Sequence, residues 1–372
     1  MDFKKLDAYI DDLTHCGIPS TDIEVRLGHE VIYRHSSGHA DAARTKPISP
    51  ENLYWIWSCS KVSCCMAGLK LIEEGKMSLD DPVAKYMPEL EHLFVKDGDI
   101  VRPARTTLLV RHAFTMQSGW DYGASAKLPG AVRPKNNVEL FCALASVPLN
   151  FDPGTRYEYG LSHDLIGALV EKISGRRLGD YLKENFFDPL GMKDTTFRPT
   201  PEQTARVADR YDYNNETYSA TLEPPFEGFG DVDMGSGGLV SSVNDYSLLM
   251  DALANGGVGA SGARVLKAET VEMCKKNLLE GASLEDFRRW QGASTYGYGW
   301  GLCGRVHMDD KVSLSRSPVG EFGWNGAAAS YALADTDNKL SIFIAMHVHN
   351  CLYAYHVAHN HIKNLAYEAL GL

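Results

Sequence analysis

The chain has 372 residues, 44% hydrophobic and 23% charged, with 34 glycines and 16 prolines, a globular composition with enough apolar surface to build a large core in one domain or two joined ones. A formal net charge of -11, with no run of lysine or arginine, argues against nucleic acid and an anionic membrane surface as partners. No apolar stretch is long enough to span a bilayer, so a cytoplasmic protein acting on a small molecule is expected.

The N-terminal stretch MDFKKLDAYIDDLTHCG spaces Phe3, Leu6, Ile10 and Leu13 for an amphipathic helix studded with acids, and it does not read as a signal peptide. Ile23, Val25 and Leu27 then alternate with polar residues, Gly28-His29 marks a turn, and Val31 and Tyr33 resume the alternation, which predicts a β-hairpin. The segment WSCSKVSCC, residues 57 to 65, sets Ser58 three positions before Lys61 at the expected start of a helix. Cys59, Cys64 and Cys65 crowd that helix. With no CxxC pair to hold zinc, the eight cysteines read as reduced core thiols.

Further helices are predicted over Val138 to Ala145, His163 to Ile173 ending at Gly175, and Asp245 to Leu253 ending at Gly256-Gly257. DPG at Asp152 to Gly154 and GSGG at Gly235 to Gly238 mark loops. Near the end, SYALADTDNKLSIFIAM gives strand, turn at Asp335 to Asn338, and a buried strand, before a closing helix over Tyr353 to Leu370. Strands at both termini with a helix-rich middle predict an α/β (α+β) protein: a central antiparallel sheet flanked by helices, with a mainly helical inserted domain. The expected sheet domain is 1–75 with 285–372, the insertion is 76–284, and the active site lies in the cleft between them.

Ser58 and Lys61 form the chain's single SxxK. A chain this long shows such a pattern about once by chance, so the pair alone reads as an N-capping serine and a solvated lysine. As chemistry, a lysine one helical turn on reaches the serine hydroxyl, the helix N-terminus adds positive charge, and the Ser58 N–H can serve an oxyanion. Tyr157 and Tyr159 follow a rigid DPG turn, and a neighbouring Lys61 would stabilise a tyrosine phenolate as base. EFGWNGAAAS, residues 321 to 330, places small residues after Trp324 before a core strand, leaving the Ala327 N–H as a second oxyanion donor.

Tyr122 follows the Ser118-Gly119 turn and is expected near the cleft, while Trp120 and the YGYGWG run from Tyr296 read equally as pocket, core or turn. His347, His349, His356, His359 and His361 lack accompanying carboxylates or cysteines in a metal-binding pattern and read as structural, with His347 or His349 a possible substrate contact.

Ser58 to Lys61, Tyr159, and Trp324-Asn325-Gly326, taken in order and spacing, resemble the three motifs of the penicillin-binding-protein and class C β-lactamase superfamily. PVAKYMPEL, MQSGWDYG, DPGTRYEYG, DPLGMKDTTF and GSGGLVSSVNDYSLLM extend the likeness over nearly the whole chain. Two departures stand out. Tyr159-Gly160-Leu161 replaces Tyr-x-Asn, and Trp324-Asn325-Gly326 replaces Lys-Thr-Gly, losing the lysine that attracts a substrate carboxylate. Both resemble the branch called family VIII carboxylesterases.

The resemblance implies a β-lactamase/transpeptidase-like fold and an acyl-enzyme on Ser58, with Lys61 and Tyr159 catalytic. It also implies an oxyanion hole at Ser58 and Ala327, and substrate contacts at Trp324, Asn325, Gly326 and Tyr122. The substrate implied is a small ester, amide or β-lactam-like compound, with neither cofactor nor metal. A D-amino-acid peptidase or amidase, an acyltransferase, and a non-catalytic binding protein with a retained pocket are the alternatives. No GxSxG elbow is present.

Overall fold

The amphipathic spacing near the N-terminus folds as α1 (Lys4–Asp12), with Leu6 and Ile10 buried. The alternation that follows forms β1 (Ser20–Leu27) and β2 (Glu30–Gly38). Gly28 and His29 both have positive φ, as a two-residue hairpin turn that matches strand twist requires. These elements belong to a computed structural model that describes residues 1–128, 133–214, 217–221 and 231–372.

The short β3 (Leu53–Trp55) leads into α2 (Ser60–Glu73), which is buried continuously from Ser60 to Leu69, as an almost all-round apolar sequence demands. Next come α3 (Asn137–Leu144) and α4 (Ser162–Ser174). β4 (Val240–Ser242) pairs antiparallel with β3 and runs into α5 (Val243–Ala254), whose first turn is capped by the Ser242 hydroxyl at 3.0 Å from the Asp245 N–H.

After α6 (Gly281–Gln291) come β5 (Tyr298–Gly301), β6 (Gly304–His307), β7 (Phe322–Asn325), β8 (Tyr331–Asp335) and β9 (Leu340–Ala345). The chain closes with α7 (His359–Leu370), preceded by a π-helical turn at Ala354–Ala358.

The sheet order is β2-β1-β9-β8-β7-β6-β5, antiparallel throughout. The two ends of the chain therefore meet at its centre, with Ile23 opposite Ile344 and Val25 opposite Ile342. Strand alternation sorts the core into two layers. Ile23, Val25, Leu333, Ile342 and Ile344 pack with Leu6 and Ile10 of α1 and Ile362 and Ala366 of α7. Ala332, Ala334, Phe343 and Ala345 point the other way, into the core shared with α2, α4 and α5. Both faces being covered explains why LSIFIAM is apolar but for the buried Ser341, and each large apolar side chain there contributes about 1.5–3 kcal/mol of burial. This is the antiparallel sheet flanked by helices that the sequence predicts. Among the described residues no helix is long and apolar enough to cross a membrane, and all eight cysteines are free thiols.

Candidate active site

Ser58 sits in a 3-10 turn, Trp57–Cys59, that runs into α2, rather than on the first turn of α2 itself. Trp57, just before it, holds a left-handed backbone at φ 49, a conformation that costs a non-glycine residue about 1–3 kcal/mol and persists only where surrounding contacts hold it. Those contacts are present. The Cys59 thiol donates to the Trp324 carbonyl at 3.3 Å, and the Ser330 hydroxyl donates to the Ile56 carbonyl at 2.7 Å. The serine turn is thus stitched to the end of β7 and the turn after it. Gly326 lies so close to this seam that a Cβ there would overlap Ser330 Oγ and the Ile56 carbonyl, so the residue type follows from the approach of two backbones.

Lys61 is wholly buried, and its ammonium places its three N–H donors on three oxygens. It reaches Ser58 Oγ at 3.1 Å, the Tyr122 hydroxyl at 2.8 Å and the Ser236 carbonyl at 2.5 Å. Burial alone would lower its pKa, but coupling to the oxygens of Tyr122 and Tyr159 outweighs that and the net shift is upward, so the residue is a cation at neutral pH. The Ser236 carbonyl comes from the GSGG loop, which is itself anchored by its N–H to Asp164 Oδ1 at 3.0 Å.

Tyr159 presents its ring to the same ammonium, 4.5 Å from Lys61 Nζ to the centroid. Its hydroxyl accepts the indole N–H of Trp324 at 2.7 Å. Tyr122 meets Tyr159 edge to face at 5.9 Å. Although part of the Tyr122 ring is exposed, its hydroxyl is turned inward, and that burial pushes its pKa up to about 12 against the pull of Lys61. Tyr122 is therefore a neutral phenol across the physiological range. Trp300 floors the cluster, 4.5 Å from Trp324 and 6.2 Å from Tyr159.

A pocket of about 260 Å³ opens over this group, lined by Ser58, Tyr159 and Trp324 to Ala327, and by Trp290, Gln291, Tyr355 and His356. The structure brings Ser58, Tyr159, Trp324, Asn325, Gly326 and Ala327 to one pocket wall, and Lys61 and Tyr122 lie directly behind it. Trp290 and Gln291 from the end of α6, Tyr355 from the π-helical turn and the Ser236 carbonyl carry no signal in the sequence, and His356, expected to be structural, lines the pocket. The nearest signal was the GSGG loop, where a Cβ on Gly235 would collide with Cys64.

His347 and His349 do not line the pocket. His347 is buried, bonded to the Trp55 N–H and the Asp209 carbonyl, and His349 stacks on Trp57 and bonds Asp212. The backbone geometry beyond β9 turns both away, and His356 takes the place at the pocket instead. Tyr157 and Trp120 are core residues, packed on Phe287 and Phe141.

Comparison with known proteins shows the family of the chain. The family model described as Beta-lactamase matches residues 6–354. An uncharacterized protein of Mycobacterium tuberculosis is 30% identical over 323 residues, 82% of this chain and 79% of that protein. Esterase EstB of Burkholderia gladioli is 26% identical over 333 residues, 85% and 82% of the two chains. Among solved structures, a family VIII carboxylesterase superposes with a TM-score of 0.76 at 18% identity, covering 98% of this chain and 97% of that one.

Proposed function

Since the chain belongs to the beta-lactamase family and is a serine hydrolase related to carboxylesterases, we propose that it cleaves esters of small, uncharged acyl groups through an acyl-enzyme on Ser58. The observation that carries this reading is the 3.1 Å contact between Lys61 Nζ and Ser58 Oγ at the base of a pocket shared with Tyr159 and Trp324. Among the described residues, no aspartate, glutamate, lysine or arginine lines that pocket, and the indole of Trp324 makes no Coulombic contact with a carboxylate. A charged acyl group would enter without a partner for its charge, so the pocket favours a neutral one over a penicillin or a stem peptide.

The chemistry follows from the donors and acceptors present. Tyr159, beside the Lys61 ammonium, acts as the base that accepts the Ser58 proton, and the Trp324 N–H points at the same oxygen. Tyr122, whose pKa burial raises to about 12, accepts a Lys61 N–H as a neutral phenol, which leaves the base role to Tyr159. Ser58 Oγ bonds the acyl carbon, and the N–H groups of Ser58 and Ala327 hold the resulting oxyanion. The carbon–oxygen bond to the alcohol breaks as that oxygen takes the proton from Tyr159. Water repeats the sequence and frees the acid.

The test is intact-protein mass after a fluorophosphonate, with turnover of p-nitrophenyl butyrate and a chromogenic cephalosporin, in wild type and Ser58→Ala. The expected result is one adduct and rapid ester turnover, both lost in the variant, with much slower cephalosporin hydrolysis. An adduct that survives Ser58→Ala would remove Ser58 from the mechanism.

A further inference from the structure

Beyond Tyr159 lies a second and larger cavity of about 740 Å³, whose lining does not include Ser58 or Ala327. Tyr159 and Trp290 belong to the walls of both cavities. We propose that this second cavity is the leaving-group subsite and that it takes an organic cation, the ammonium carried by the alcohol, thiol or amine half of the substrate. The assignment rests on the acyl-enzyme reading above. In that reaction the leaving heteroatom is protonated from Tyr159 as its bond to the acyl carbon breaks, so the departing half must lie on the Tyr159 side.

The charge preference follows from which ions in the cavity are already paired. Arg156 grips Asp286 through two hydrogen bonds, one of 2.7 Å, and Arg289, largely exposed, leans to the same carboxylate at 3.5 Å. Arg156 and Asp286 satisfy one another, and the Arg289 charge is left mostly to solvent. Asp121 and Glu158 do not have such partners. Asp121 Oδ1 is buried and, among the described residues, has no hydrogen-bond partner. Glu158 is partly buried and bonded to the neutral amide of Asn150 at 2.6 Å. Burial and, after it, the Asp121 charge raise the Glu158 pKa against the opposing pull of the Asn150 amide and the Lys127 charge, so the two carboxylates stand close together without a contact ion pair among the described residues.

Their placement is not incidental to the site. Asp121 precedes Tyr122 and bridges Gly160, and Glu158 precedes Tyr159, so each carboxylate is one residue from a phenol of the active site. Trp290 completes the recognition. Its ring is 55% exposed and lies 4.5 Å from that of Tyr159 at a 30° tilt. Aromatic faces beside unpaired carboxylates are the chemistry that holds an ammonium group.

The experiment compares kcat/KM for acetylthiocholine with that for its neutral carbon isostere, S-(3,3-dimethylbutyl) thioacetate, in wild type, Asp121→Asn, Glu158→Gln and the double variant. Both substrates share the acyl group, so the ratio isolates the cation. We expect wild type to favour the cationic thioester by about tenfold or more, as one desolvated cation contact gives, and the double variant to bring the ratio near one. A wild-type ratio near one, or a ratio that the double variant leaves unchanged, overturns the proposal. Faster hydrolysis of D-alanine p-nitroanilide, with its ammonium on the acyl half, and the same sensitivity to the double variant would overturn the leaving-group placement.

If neither thioester nor any p-nitrophenyl ester is turned over, the acyl-enzyme reading has failed, and the cavity is judged by binding alone. Titration of tetramethylammonium chloride against sodium chloride, read through tryptophan fluorescence, then gives saturable quenching that the double variant abolishes. Absence of saturable quenching in wild type would end the claim.

Discussion

Every donor of the Lys61 ammonium is spoken for by Ser58, Tyr122 and Ser236, so each phenol near it can be assigned a task by what else it touches. Tyr159 receives the Trp324 indole N–H and Tyr122 receives a Lys61 proton. Trp324→Phe keeps an aromatic ring against Trp300 but removes the N–H aimed at Tyr159. It is expected to lower kcat on p-nitrophenyl butyrate about tenfold or more, with KM nearly unchanged, since one donor to a developing charge is lost. Tyr159→Phe removes the base and is expected to cost about 10²–10⁴-fold in kcat, with fluorophosphonate labelling slowed in parallel. Tyr122→Phe leaves the ammonium one acceptor short and should cost less than Tyr159→Phe; the reverse order would exchange the two roles. The types and spacing of Ser58, Lys61, Tyr159 and Trp324 made these residues legible in the sequence. Trp290, Tyr355 and His356 arrive from the ends of helical segments, and their approach depends on packing that no local pattern encodes.

The elements that carry the pocket differ in how openly their residues declare them. The hairpin of β1 and β2 alternates, β8 and β9 are short apolar runs fit for strands covered on both faces, and the turns hold Gly, Asp and Asn, so pattern and punctuation agree. β5, β6 and β7 are strands that sequence reasoning passed over as turn or pocket. YGWG and GRVH break the alternation with glycine, and in β7 a Cβ on Gly323, at φ 152, would run into the Ala332 carbonyl across the ladder. Glycine there answers to a neighbouring strand over a close approach, a tertiary requirement. The same logic makes the turn after β7 sensitive. Gly326→Ala forces apart Ser330 and Ile56, the seam that aligns Ser58 with Ala327. We expect about 1–3 kcal/mol of lost stability by urea unfolding, together with a fall in kcat as the two oxyanion N–H groups separate. Retained kcat with reduced stability would detach that seam from catalysis.

Across the whole molecule, buried histidines tie distant segments together in their neutral form. His163 on α4 faces the Phe114 carbonyl at 3.1 Å, His347 after β9 receives the Trp55 N–H of β3 at 3.2 Å, and His359 of α7 faces the Ala329 carbonyl at 3.1 Å. Burial depresses their pKa values to about 3, about 4 and about 3, against about 6.5 in an unfolded chain. Their contribution is therefore intact above pH about 6.5 and is lost as pH falls toward the folded values, because the unfolded chain takes up protons that the folded one refuses. Buried carboxylates such as Asp22 and Glu24, whose pKa values are raised by burial, work in the opposite direction: the stability they add is present at low pH and is lost as pH rises through their folded pKa values. The slope of wild-type stability alone thus mixes the two, and a single substitution separates them. His359→Gln retains a side-chain donor for the Ala329 carbonyl and removes the titration. Between pH 6.5 and 4 its unfolding free energy should fall less steeply than that of wild type, by up to about 1.4 kcal/mol per pH unit, while the two curves run parallel above pH 7. Parallel curves over the acid range as well would mean that His359 is protonated in the folded protein, and that the contact between α7 and the turn after Gly326 is made by an imidazolium.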